Sequence, residues 1–164
     1  MNTIQNKYYF QALDNFPYNM EETIEALNYA LSYEKNADCL CLLARVYSEI
    51  LNDYETAKEY FEEAMSINIH SLNLYPYFID CLLWNDDYKE AKKLINFALT
   101  VKGIDKAVIL NKKSLLLEYQ KKYKKALNMI NNARLHTYNS NFMTYLESRE
   151  KQIKLKKKSN EKSK

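Results

Sequence analysis

Four alanines, Ala30, Ala64, Ala98 and Ala133, follow one another at intervals of 34, 34 and 35 residues, each at the same place in a matching pattern. Ten residues before each stands Met20, Tyr54, Tyr88 or Tyr123. Seven before stands Thr23, Ala57, Ala91 or Ala126, and three before stands Leu27, Phe61, Ile95 or Ile130. Offsets of three, four and seven bring side chains onto one face of a helix. A period near 34 residues is that of stacked helical hairpins, none of which can bury its apolar face alone. The fold class that follows is all-α.

With each unit read as helix A, turn, helix B, the B helices fall at 20–34, 53–67, 87–101 and 122–136. Their early turns hold acids such as Glu21, Glu22, Asp53 and Glu55, which suit the positive end of a helix dipole. The fourth unit departs from this, with Lys121, Lys122, Lys124 and Lys125 around Tyr123, and is locally basic. The A helices are expected at about 3–14, 37–50, 74–84 and 107–119. Leu40, Leu43, Ala44 and Tyr47 give the clearest stripe; Leu110, Ser114 and Leu117 face the partner helix in the fourth unit. The first A helix has the weakest pattern, carried by Ile4, Tyr8, Ala12 and Leu13. Pro76 is tolerated only in a first turn. After the last hairpin, Ser140 can cap a helix to about residue 155, with Phe142, Leu146 and Ile153 inward. Such a helix covers the end of an open stack.

Composition narrows the chemistry. One glycine, Gly103, excludes the glycine-rich loops that bring backbone N–H groups onto phosphates. Residues 150–164 hold seven lysines against two glutamates, so the formal charge of +3 leaves the other residues mildly acidic. The expected layout is a helical repeat domain over 1–155 and a lysine-rich disordered tail over 156–164. Residues 1–15 do not read as a signal peptide, and no window approaches the ~18 apolar residues of a membrane span. Three cysteines inside helical patterns suit reduced thiols, and the localisation expected is cytoplasmic.

The pattern resembles the tetratricopeptide repeat family over roughly residues 3–136, with a capping helix behind. The family's helix B motif of turn tyrosine, small residue, large apolar residue and second small residue is matched by Tyr54, Ala57, Phe61 and Ala64. It is matched again by Tyr88, Ala91, Ile95 and Ala98, and by Tyr123, Ala126, Ile130 and Ala133. Leu43, Ala44 and Tyr47 match helix A, with one extra turn residue in Leu51-Asn52-Asp53. The closing proline of each repeat and the glycine before the turn tyrosine are absent, and Ile79 replaces the small residue of helix A in the third unit. The resemblance implies an α-solenoid of about four hairpins whose A helices line a peptide-binding groove; the pentatricopeptide family, with nearly the same period, is the nearest rival.

Mapped onto this chain, the groove-facing offsets are Arg45, Ser48 and Glu49, then Tyr77, Asp80 and Trp84, then Asn111, Lys112, Glu118 and Tyr119. These lie one step round from the buried stripe. The competing reading is an ordinary solvated helix face. A lysine–asparagine–arginine clamp on a terminal carboxylate, one use of the family, is only partly represented, since the corresponding places include Cys41, Arg45, Tyr77, Val108 and Lys112. Cys39 and Cys41 project about 200° apart on a helix and cannot chelate one ion together. They read as small core residues, and no metal or cofactor is expected. His70 and His136 have no partner fixed by the pattern, so no catalytic residues are assigned and the chain is read as non-enzymatic.

The function expected is therefore a protein–protein interaction module, a scaffold, adaptor or chaperone-like protein holding a peptide or partner helix in the groove. Trp84 and Tyr77 are its aromatic anchors. The alternative is an RNA- or DNA-binding repeat protein that uses the basic fourth unit and the lysine tail. Self-association through the repeat ends, around Tyr8, Tyr9 and Phe10, is a third expectation. Added volume at Ala64 or Ala98 should force helices apart, whereas Ala37 and Ala107, near helix starts, should tolerate it.

Overall fold

The structure, a computed structural model, describes residues 3–162. Among the described residues it is all-helical, without strands. The chain divides into two compact units, Met1–Asp86 and Asp87–Lys164, where length alone suggests one domain.

The first unit holds α1 (Thr3–Asn15), α2 (Met20–Tyr33), α3 (Ala37–Arg45), α4 (Tyr54–Ile67) and α5 (Leu74–Trp84). A π-helical segment, Val46–Leu51, continues α3. The second unit holds α6 (Tyr88–Ala98), α7 (Lys106–Tyr119), α8 (Tyr123–Arg134) and α9 (Ser140–Lys162). Neighbours in sequence pack on each other within each unit, α1 on α2 and α3 on α4, then α7 on α8 and α8 on α9. Side-chain oxygens of Asn19, Asn36, Asp53 and Asp105 accept from the first-turn N–H groups of α2, α3, α4 and α7, satisfying donors with no partner inside the helix.

The alanine register is a burial register. Ala30, Ala64, Ala98 and Ala133 are fully buried, and so are Thr23, Ala57, Ala91 and Ala126 seven residues earlier. Leu27, Phe61, Ile95 and Ile130 complete the stripe with no exposed surface. The small residues let a neighbouring helix approach, and the large one between them fills the space beside that approach. In the first unit Ala26, Leu27, Ala30, Leu42 and Leu43 form one core with Ala12 and Cys39. In the second, Leu110, Ala126, Ile130 and Ala133 join Leu146 and Ile153 of α9. Phe61 of α4 stacks on Phe78 of α5, ring centroids 5.0 Å apart.

The turns into α4, α6 and α8 show how the chain manages without glycine. Asn52, Asp86 and Lys121 each lie two residues before the turn tyrosine, with φ of 55°, 59° and 58°. This is the left-handed region that glycine enters freely and asparagine at little cost, but that penalises a lysine by about 1–2 kcal/mol. The extra residue of the second unit is accommodated upstream of Asn52. From the helix A small position to the left-handed residue there are eight steps in Ala44–Asn52 but seven in Ile79–Asp86 and Ser114–Lys121. The surplus is taken up by the π-helical segment, whose wider turn accepts one more residue.

Several expectations need correction. In α1 the buried residues are Gln5 and Ala12, while Ile4 is 51% exposed. The inward stripe is therefore Gln5, Tyr8, Tyr9 and Ala12 rather than one led by Ile4. Gln5 is drawn in because its Nε2 donates to the Ala30 and Glu34 carbonyls at the end of α2, at 3.3 and 2.6 Å. Tyr8 and Tyr9 pack on the core, leaving Phe10 as the exposed ring of the three. Asn139, not Ser140, caps α9, its Oδ1 accepting from Phe142 N at 3.0 Å. That helix does not stop near 155 but runs to Lys162, so the segment read as a disordered tail is helical that far. Ser163 and Lys164, the end of that segment, lie outside the described residues. Ala107 is fully buried and Ala37 nearly so, and neither should tolerate added volume.

Two stability predictions follow. Ala98→Leu and Ala107→Leu should each destabilise by about 1–3 kcal/mol through overpacking, read from chemical denaturation; an unmoved Ala98→Leu curve would mean the register is misassigned. Lys121→Gly should stabilise by about 1 kcal/mol by relieving the left-handed backbone, whereas Asn52→Gly should change little.

Candidate functional site

In the first unit, Arg45 closes α3 and meets two rings. Its guanidinium carbon lies 3.9 Å from the Tyr77 ring centroid and 4.6 Å from that of Phe16. Its Nε donates to Glu49 Oε1 at 2.7 Å and its Nη2 to Oε2 at 3.3 Å, a two-pronged fork that leaves Nη1 outside it. Desolvation lowers the Arg45 pKa, but the bond to Glu49 and the charge of that carboxylate, with smaller contributions from Tyr77 and Cys41, together outweigh it and the net shift is upward, so the cation is firmly held. Stacking, fork and partial burial together fix its rotamer.

Beside Arg45 lies a cavity of about 280 Å³ whose wall includes Tyr9, Asp38, Cys41, Asn73 and Tyr77. Asp38, Cys41 and Arg45 share one face of α3, at spacings of three, four and seven. Burial is the main cause that pushes the Tyr9 hydroxyl pKa up to about 12, with Asp38 adding to it. Burial likewise raises the Cys39 and Cys41 thiols to about 11 and about 12, which keeps them protonated at neutral pH. Among the described residues no group of three or more His, Cys, Asp or Glu side chains could hold a metal ion. No described helix is long and apolar enough to cross a membrane.

Arg45, Glu49 and Tyr77, chosen from sequence, are thus brought together. Ser48 is not with them. It is buried, with Oγ donating to the Arg45 carbonyl at 3.4 Å, because the π-helical segment changes the angular phase directly after Arg45. Asp80 is half-buried on α5. Trp84 remains 44% exposed while packing on Tyr54 at 6.3 Å between centroids. Phe16, Tyr9, Asp38 and Asn73 were missed; only Asp38 was signalled, by its helical spacing from Arg45.

Of the candidates in the second unit, Asn111 and Glu118 are enclosed. Asn111 is buried in α7, which packs against both α6 and α8. Lys112 is half-buried. Tyr119 is 48% exposed and stacks on Tyr88 at 6.0 Å. Trp84 and Tyr119 occupy equivalent places, four residues before the next turn tyrosine, and each packs on the preceding one. Glu118 is buried and occupied by α9, whose Arg149 Nη2 and Lys156 Nζ donate to its two oxygens. It is therefore a structural ion-pair centre rather than an open ligand contact. Burial alone raises its pKa, but the bonds from Lys156 and Arg149 prevail and hold the carboxyl below the ordinary glutamate range. Arg134 of α8 adds a second tie to α9 through Glu150 Oε2 at 2.7 Å.

A scan of protein-family models gives no match, and a search of curated proteins gives none.

A carboxylate held below its unfolded pKa contributes stability at neutral pH that is lost as pH falls through its folded value. Glu118→Gln should therefore cost about 3 kcal/mol at pH 7, by leaving Arg149 without its charge partner. The difference from the parent should shrink at pH ~3, below the ordinary glutamate value of about 4.3, where the unfolded chain binds the proton that the folded carboxylate resists. Urea denaturation at both pH values checks this; equal costs at both would show that the charge is not what holds α9.

Proposed function

We propose that this chain is a non-enzymatic interaction module of tetratricopeptide-like character, an α-solenoid by its 34-residue register, which binds a peptide segment or partner helix. The observation that carries this reading is the convergence of Arg45 from α3 and Tyr77 from α5 on one cavity with Asp38 and Asn73. An arginine held between aromatic rings presents donors in a fixed direction, so little side-chain entropy is lost when a ligand accepts from them. Asp38 on the same wall supplies the opposite sign. The fitting ligand is a peptide with both an acidic group for Arg45 and a basic or amide donor for Asp38. Three free cysteines suit a reducing, cytoplasmic setting.

Because Arg45 packs between rings, replacing it would remove contacts as well as charge. Asp38→Lys is the cleaner probe, since it reverses charge at an exposed wall position. Against peptides selected from a random library on the parent protein, it should weaken binding by about tenfold or more, while stability falls by only about 1 kcal/mol as a cation replaces the first-turn acid of α3 and its bond from Ser71 is lost. Glu25→Lys on α2 should leave binding intact. Equal affinities for parent and Asp38→Lys would place the peptide elsewhere.

A further inference from the structure

The charge of +3 conceals a strong division. Residues 1–86 carry four basic side chains against fourteen acidic ones, and residues 87–164 carry twenty against seven. Within the second unit basic groups gather at one concavity of about 370 Å³, lined by Lys121, Lys122, Lys124, Lys125 and Lys157 together with Tyr123, Asn160 and one carboxylate, Glu161. Lys121 and Lys122 come from the turn into α8, Lys124 and Lys125 from its first turn and Lys157 from α9, so the folding of α9 onto α7 and α8 completes the cluster. Of the five, among the described residues, Lys157 alone has a carboxylate partner, Glu161 at 3.7 Å. A second cavity of about 400 Å³ shares Lys121 and Tyr123 and adds Tyr119, with Arg149 and Lys156 already bonded to Glu118 in the same wall. Arg149 is more than nine-tenths buried there, and its Nε has no hydrogen-bond partner among the described residues.

We propose that this concavity binds the phosphate backbone of a single-stranded nucleic acid. Five ammonium groups crowded into one wall repel each other, and an array of phosphates offsets that repulsion while releasing counterions. Lysines act as point charges and do not fork onto base edges, so the contact follows the backbone without reading sequence. The aromatic rings select the ligand further. Tyr119 stacks on Tyr88 yet stays half-exposed beside Lys121, offering a platform to an unpaired base that a duplex would keep in its own stack. This site lies in the second unit and does not depend on the peptide reading of the first.

The test is fluorescence anisotropy with an oligouridylate of about 20 nucleotides at about 50 mM salt. The expected result is binding whose affinity falls with salt at a log–log slope between about −3 and −4, as five lysines on a single strand require. Lys124→Glu with Lys157→Glu should weaken binding by about tenfold or more, and the neutral pair Lys124→Gln with Lys157→Gln by less in the same direction. Lys92→Glu with Lys93→Glu, exposed on α6 and equal in net charge, should cost less than about threefold. Tyr119→Ala should weaken the oligonucleotide but not inorganic polyphosphate. No complex at low salt, equal losses for the two charge-reversed pairs, or a duplex or polyphosphate of matched charge competing as well as the oligonucleotide would overturn the proposal.

Discussion

Two helices approach closely only where a side chain between them is nearly absent, and the alanines at 30, 64, 98 and 133 supply those places. Each is fully buried, with another small residue buried two turns earlier. The larger residue between them, Leu27, Phe61, Ile95 or Ile130, then finds its space set by backbone approach rather than by its own bulk. The turn tyrosines, the left-handed residues before them and the rings of Trp84 and Tyr119 are all arranged around helices that this packing has already brought together.

That part of the fold was legible because it is local and periodic. A stripe at three, four and seven residues reports its buried face wherever the helix packs, and all the matching B positions lie where the pattern puts them. The start of the first helix was misread because one of its two buried residues is a glutamine drawn in by carbonyls of α2, a contact no hydrophobic period can signal. The helical continuation past Lys156 was hidden for a similar reason. Its lysine-rich composition resembles a solvated end, and the carboxylate that binds Lys156 lies 38 residues away at Glu118.

The candidate site was legible in part. Arg45, Glu49 and Tyr77 meet because their spacing was correct, whereas Ser48 was lost to a π-helical turn that shifts the face by one residue. Glu118 looked like a ligand contact because a charged residue on a predicted surface is normally solvated. The helix that covers it was expected, but not the ions that hold it. Phe16 reaches Arg45 from a turn and Asn73 reaches the cavity from a helix start, where no period applies.

The division of charge bears on how the molecule behaves as an electrolyte. With an excess of ten acidic groups in one unit and thirteen basic groups in the other, the near-neutral total describes neither. The chain should be retained by both cation- and anion-exchange media at neutral pH, each engaging a different half.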